Sequence, residues 1–85
     1  MIHQIFSPNP SVLMDVSALA AAGDCVLLLG DGVYLQEQAA AHFTVYVRAQ
    51  DAATRGLAVT ASATSISDQE WLALTMSHTK PISWF

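Results

Sequence analysis

The chain has 85 residues, of which 53% are hydrophobic and only 12% charged, with a mean hydropathy of +0.40. An ordinary soluble domain is about 25% charged, and a disordered chain needs the opposite balance, so this is one small folded domain over residues 1–85. No apolar run approaches ~18 residues, which excludes a transmembrane helix. The net charge is −4, and Arg48, Arg55 and Lys80 are the only Lys or Arg residues, too few and too scattered to displace counterions from nucleic acid. Cys25 is the single cysteine, which excludes an intrachain disulfide and a multi-thiolate zinc site. With no disulfide framework and no export signal at the start, the expected location is cytoplasmic. A domain this small buries only about 60 to 65% of its unfolded surface, so part of the apolar excess must face outward, as partner contacts do.

Met1 to Phe6 reads as a first strand, stopped by Ser7-Pro8-Asn9-Pro10. Ser11 caps a predicted helix running to about Ala22, with Val12, Val16, Leu19 and Ala20 on one stripe and Gly23 as its C-cap. Cys25 to Leu29 is apolar without alternation, the signature of a strand covered on both faces, and Gly30-Asp31-Gly32 breaks it. Val33 to Ala41 is predicted as a short helix and Phe43 to Val47 as a third strand. Asp51 to Arg55 fits one or two helical turns ended by Gly56, with an Asp51–Arg55 pair at i,i+4 contributing about 0.3 kcal/mol. Leu57 to Ala63 is expected to hold a fourth strand. Ser67 and Glu70 form a capping box for a last helix containing Trp71, Leu72, Leu74 and Thr75. Pro81 ends it, and Ile82 to Phe85 is expected as a terminal edge strand. The alternation predicts a three-layer α/β/α fold around a mostly parallel sheet of about five strands.

Few residues promise chemistry. His3, His42 and His78 are dispersed and share no ligand spacing with Cys25, so no metal site is expected. No G-x-S-x-G elbow supports a serine nucleophile, and the seven acids form no assignable catalytic pair. Gly30-x-Gly32 follows a strand as phosphate loops do, but lacks the third glycine and the Gly-Lys-Ser/Thr ending, so a tight turn is the plainer reading. Cys25 opens an apolar strand directly after Asp24, whose charge opposes thiolate formation; a buried hydrophobe is expected rather than a nucleophile.

Taken in order, the motifs resemble one family, the DsrH/TusB sulfur-relay subunits. They begin with His3 in the first strand and Ser7-Pro8 after it. The segment GDCVLLLGDGVY at 23–34 is similar to the family's G-D-x-h-L-L-L-x-D-G-h pattern. Val45-Tyr46 with Asp51-x-x-x-Arg55-Gly56-Leu57 resembles its V-Y-x-L-x-x-D-h-x-A-R-G-h stretch. Trp71-x-x-Leu74-Thr75-x-x-His78 and the final Ser83-Trp84 resemble its F-V-x-L-T-x-x-H ending and last tryptophan.

The resemblance implies a DsrE/F/H-like fold, no cofactor, and a heterohexamer with homologous TusC-like and TusD-like subunits. The D-like subunit carries the main sulfur-bearing cysteine and hands persulfide sulfur to a TusE-like acceptor. TusB-like chains serve 2-thiolation of the wobble uridine in certain tRNAs, and DsrH-like chains serve sulfur oxidation. DsrH-type members also carry a cysteine in the first helix, and counting back from Gly23 that position is Val16 here. The implied role is a non-catalytic TusB-type subunit, with no membrane and no direct nucleic-acid contact. Tyr34, Tyr46, Trp71 and Trp84 are its candidate interface residues, since aromatics are enriched at interfaces. Two alternatives stand beside it. One is a DsrH-like carrier using Cys25 as a persulfide; the other is a stand-alone homo-oligomer holding a small anion at Gly30-Asp31-Gly32.

Overall fold

The computed structural model describes residues 1–77 and 81–85; His78 and Lys80, named above, lie outside them. Strands β1 (Ile2–Ile5), β2 (Cys25–Leu28), β3 (Thr44–Arg48), β4 (Thr64–Ile66) and β5 (Pro81–Trp84) alternate with helices α1 (Ser11–Leu19), α2 (Gln36–Ala40), α3 (Ala49–Thr54) and α4 (Asp68–Ser77). A 3₁₀ segment, Gly30–Leu35, precedes α2. The strands form one sheet in the order β4-β3-β2-β1-β5, every pair parallel. This is the α/β architecture the alternation predicts.

Side chains alternate across the sheet and make two cores. One face joins Ile5, Val26, Leu28, Val45 and Val47 to Val12 and Val16 of α1, Ala39 of α2 and Ala52 of α3. The other joins Ile2, Cys25, Leu27 and Ile66 to Trp71 and Leu74 of α4. Strands β1 and β2 are buried along their whole length, as two-sided cover requires. Three helices thus serve one face, and α4, which has no fully buried residue, serves the other.

Several boundaries differ from the sequence reading, each for a local reason. Helix α1 stops at Leu19, and Ser11 is its first residue rather than its cap: Pro10 precedes it, and the Ser11 N–H donates to the Asn9 Oδ1 at 3.0 Å. Ala20 is already extended, and Leu19 is 60% exposed rather than part of the core stripe. Gly23, with φ +88°, belongs to the turn that follows rather than to a helix cap. Gly30-Asp31-Gly32 does end the strand as read, and it also starts the 3₁₀ segment, the Gly32 N–H donating to the Leu29 carbonyl at 2.9 Å. Helix α3 begins two residues before Asp51.

The fourth strand is the largest correction. It lies at Thr64–Ile66, paired with Tyr46–Arg48, and not at Leu57–Ala63. The Leu57 N–H closes the exit from α3 on the Ala52 carbonyl. The buried Gln36 amide then donates to the Ala58 carbonyl at 3.1 Å and accepts the Thr60 N–H at 2.9 Å. A side chain has taken the backbone groups that a ladder would need. By contrast, the Ser67–Glu70 capping box forms in both directions, at 3.0 and 3.2 Å. Strand β5 is an edge strand as expected, and Pro81 occupies its first position, where a missing N–H is tolerated.

Candidate functional site

In open parallel sheets, ligands sit beyond the carboxyl ends of the strands, where the winding direction reverses. Here that point lies between β1 and β5, and the residues just beyond those strands, Phe6 and Phe85, stack with centroids 5.1 Å apart. The rest of this edge is ionic. Arg48, at the end of β3, reaches Asp68 at 2.8 Å and Asp51 at 3.2 Å. Its guanidinium also lies 5.3 Å from the centroid of the Trp71 ring. Arg55 bonds Asp31 at 2.9 Å and the Asp51 backbone carbonyl at 3.1 Å. The Asp51 carboxylate accepts the Gly30 N–H at 3.0 Å. Partial burial works to raise the Asp51 pKa, but the Gly30 N–H and Arg48 outweigh it and leave the carboxyl below its ordinary value. Arg48 is correspondingly raised, by Asp68 first and Asp51 second.

The sequence reading pairs Asp51 with Arg55 alone. In the structure their charged groups come no closer than 3.8 Å, and the direct partner of Arg55 is Asp31. Chemically the cluster is a closed set of mutual partners. Two cations and three carboxylates satisfy each other, lock the 3₁₀ segment to α3 and α4, and contain no nucleophile.

Cys25 lies at the opposite, amino edge, opening β2 beside Ile2 of β1. It is 5% exposed. Burial pushes its thiol pKa up; the α-amino group of Met1 pulls it down and Asp24 adds a smaller upward push. The thiolate is the form that attacks or carries sulfur, so this environment suits packing rather than transfer. Its neighbour Asp24 is engaged threefold, by the Ala21 N–H at 3.0 Å, the Met1 α-amino group at 2.9 Å and His3 Nε2 at 3.0 Å. Those donors hold its carboxyl well below the usual carboxylate range.

His3 is fully buried. Because the Trp84 indole N–H donates to its Nδ1 at 3.3 Å, the ring proton sits on Nε2 and is donated to Asp24. The chain Trp84–His3–Asp24 thus ties the edge strand β5 through β1 to the turn before β2. The sequence reading places His3 outside any metal site and in the first strand of the family resemblance. No local signal joins it to Trp84, 81 positions away; only the parallel pairing of β1 with β5 brings them together.

The four candidate interface aromatics divide. Tyr34 is 52% exposed on the 3₁₀ segment. Tyr46 and Trp71 are half-buried in the second core, and Trp84 is half-buried against His3. The Trp71 Nε1 is buried with no hydrogen-bond partner among the described residues. Those residues hold no group of three metal-ligating side chains and no helix long and apolar enough to cross a membrane.

Against this geometry, a family model described as DsrH like protein matches residues 7–81. The chain belongs to the DsrH-like family. No curated protein matches it. Within a DsrH-like chain, the position expected to hold a first-helix cysteine is Val16. That side chain is fully buried in the first core, facing the sheet from α1.

Proposed function

We propose that this DsrH-like chain is a non-catalytic subunit of a cytoplasmic persulfide relay, of the TusB type that serves 2-thiolation of the wobble uridine in tRNA. The observation carrying the non-catalytic part is the placement of the only cysteine. Cys25 is buried at the amino edge with its thiol pKa raised, and Val16 fills the first-helix position with a hydrocarbon. A persulfide carrier must present a thiolate to its donor and its acceptor. The sulfur-bearing cysteine then belongs to a TusD-like partner, with a TusC-like subunit completing the hetero-oligomer and a TusE-like protein receiving the sulfur.

The test is co-expression with C-like and D-like homologues in cells lacking their own relay. Cys25→Ser is expected to leave 2-thiouridine at the wild-type level, at a stability cost of about 1 kcal/mol for a buried hydroxyl. Loss of the thiolated nucleoside with the complex still assembled would overturn the non-catalytic assignment. It would favour Cys25 as a carrier, which mass spectrometry would register as a persulfide on that residue.

A further inference from the structure

We infer that the groove between α1 and α2 is a docking site for a basic amphipathic helix of a partner protein. The groove has a volume of about 580 Å³ and is lined by Leu13, Met14 and Ala18 from α1, and by Ala41, His42 and Phe43 at the exit of α2. None of its lining residues carries an acidic or a Lys/Arg side chain. Met14 is 76% exposed, a large apolar side chain held in water on the groove wall. Two helices side by side present the kind of trough into which the apolar stripe of a third helix packs.

Charge selects the occupant. Residues 1–47 contain four acids, Asp15, Asp24, Asp31 and Glu37, and no Lys or Arg. Asp24 and Asp31 are consumed in the contacts described above. Asp15 on α1 and Glu37 on α2 are exposed and form no ion pair among the described residues. The helices that form the groove therefore carry negative charge with no counter-charge of their own. A second copy meeting this face with the same face would oppose carboxylates to carboxylates, which is unfavourable. Its Arg48 and Arg55 are also already ion-paired at the carboxyl edge of the sheet. A helix with an apolar stripe and flanking Lys or Arg satisfies both the groove and its charge. The inference extends the subunit reading by naming the chemistry of one partner-facing surface, and its test uses no sulfur transfer.

The probe is a fluorescein-labelled Leu/Lys amphipathic peptide of roughly 18 residues, with a Leu/Glu peptide of the same pattern as its counterpart, followed by anisotropy on the full chain. Saturable one-site binding of the Leu/Lys peptide is expected, weakening several-fold between about 50 and about 300 mM NaCl as exposed charges are screened. The Leu/Glu peptide is expected not to bind. Met14→Glu should weaken binding about tenfold, and the double change Asp15→Lys, Glu37→Lys about fivefold, while Leu72→Glu on α4 leaves it unchanged. These sites are exposed, so circular dichroism should show each variant folded. Absence of binding, or equal binding by Met14→Glu, would overturn the inference. So would a loss caused by Leu72→Glu. None of these outcomes touches the relay reading, which stands or falls on the thiolation assay.

Discussion

The two edges of the sheet are built from different materials. The carboxyl edge carries Arg48 at the end of β3, Asp31 in the 3₁₀ segment, Asp51 in α3, Arg55 just after it and Asp68 at the start of α4, joined to one another by ion pairs. The amino edge carries the thiol and a smaller network, His3 and Asp24, closed from the far side by Trp84. About 10–13 Å separates the edges, four residues at roughly 3.3 Å each. The single thiol is thus a strand's length from either arginine, on the edge where this class of sheet seldom binds ligands. In an active site such groups converge. Here they are kept apart, and each set is spent on holding elements together.

This comparison can be broken from either side. The largest effect is expected at the carboxyl edge from Gly32→Ala. A Cβ at that position would stand 2.1 Å from the Ile5 carbonyl oxygen, a backbone atom that cannot swing aside. A loss of about 4 kcal/mol, or failure to fold, is expected in urea or thermal unfolding. A variant within about 1 kcal/mol of wild type would show that the 3₁₀ segment is not held against β1.

His3→Ala comes next and attacks the amino edge. It empties a fully buried site and leaves the Trp84 indole N–H without its acceptor. The expected cost is about 2–3 kcal/mol, and the indole N–H resonance of Trp84 should shift and exchange faster with solvent. An unmoved resonance would mean the bond to His3 is not made.

Asp51→Ala follows at the carboxyl edge, with about 1–2 kcal/mol lost as the Gly30 N–H and Arg48 give up their shared acceptor. Hydrogen exchange should rise at Gly30 and in the 3₁₀ segment while β1 and β2 stay protected. Uniform deprotection across the sheet would contradict a local role.

Acid separates the edges more gently. The folded Asp24 carboxyl titrates below its unfolded value, so its contribution is fully present above about pH 4 and is lost as pH falls through the folded value. Asp24→Asn should therefore be less stable than wild type at neutral pH, and the two melting temperatures should converge on acidification. Parallel curves down to pH ~2 would remove Asp24 from the acid limb.

What the sequence disclosed follows from how local each signal is. The uninterrupted apolar run Cys25–Leu29 and the Ser67/Glu70 box are local patterns, and both appear in the structure as read. Strand β4 was misplaced because the determinant is Gln36, more than twenty residues upstream, whose amide ties down Ala58 and Thr60. Arg48 as the centre of an ionic cluster was equally hidden. Its partners Asp51 and Asp68 are joined to it only once α3 and β4 are in place. The Cys25 environment was legible in direction, through Asp24 and the apolar run. The dominant cause, however, is burial under α4 and against β1.

The close approach at Gly32 also reaches beyond this one chain. The 3₁₀ segment crosses the end of β1 with no room for a methyl group, so position 32 acts as a thickness gauge between two parts of the backbone. Any relative that keeps this crossing must keep glycine there. A relative with a larger residue at that place must have moved the segment away from Ile5 at the end of β1.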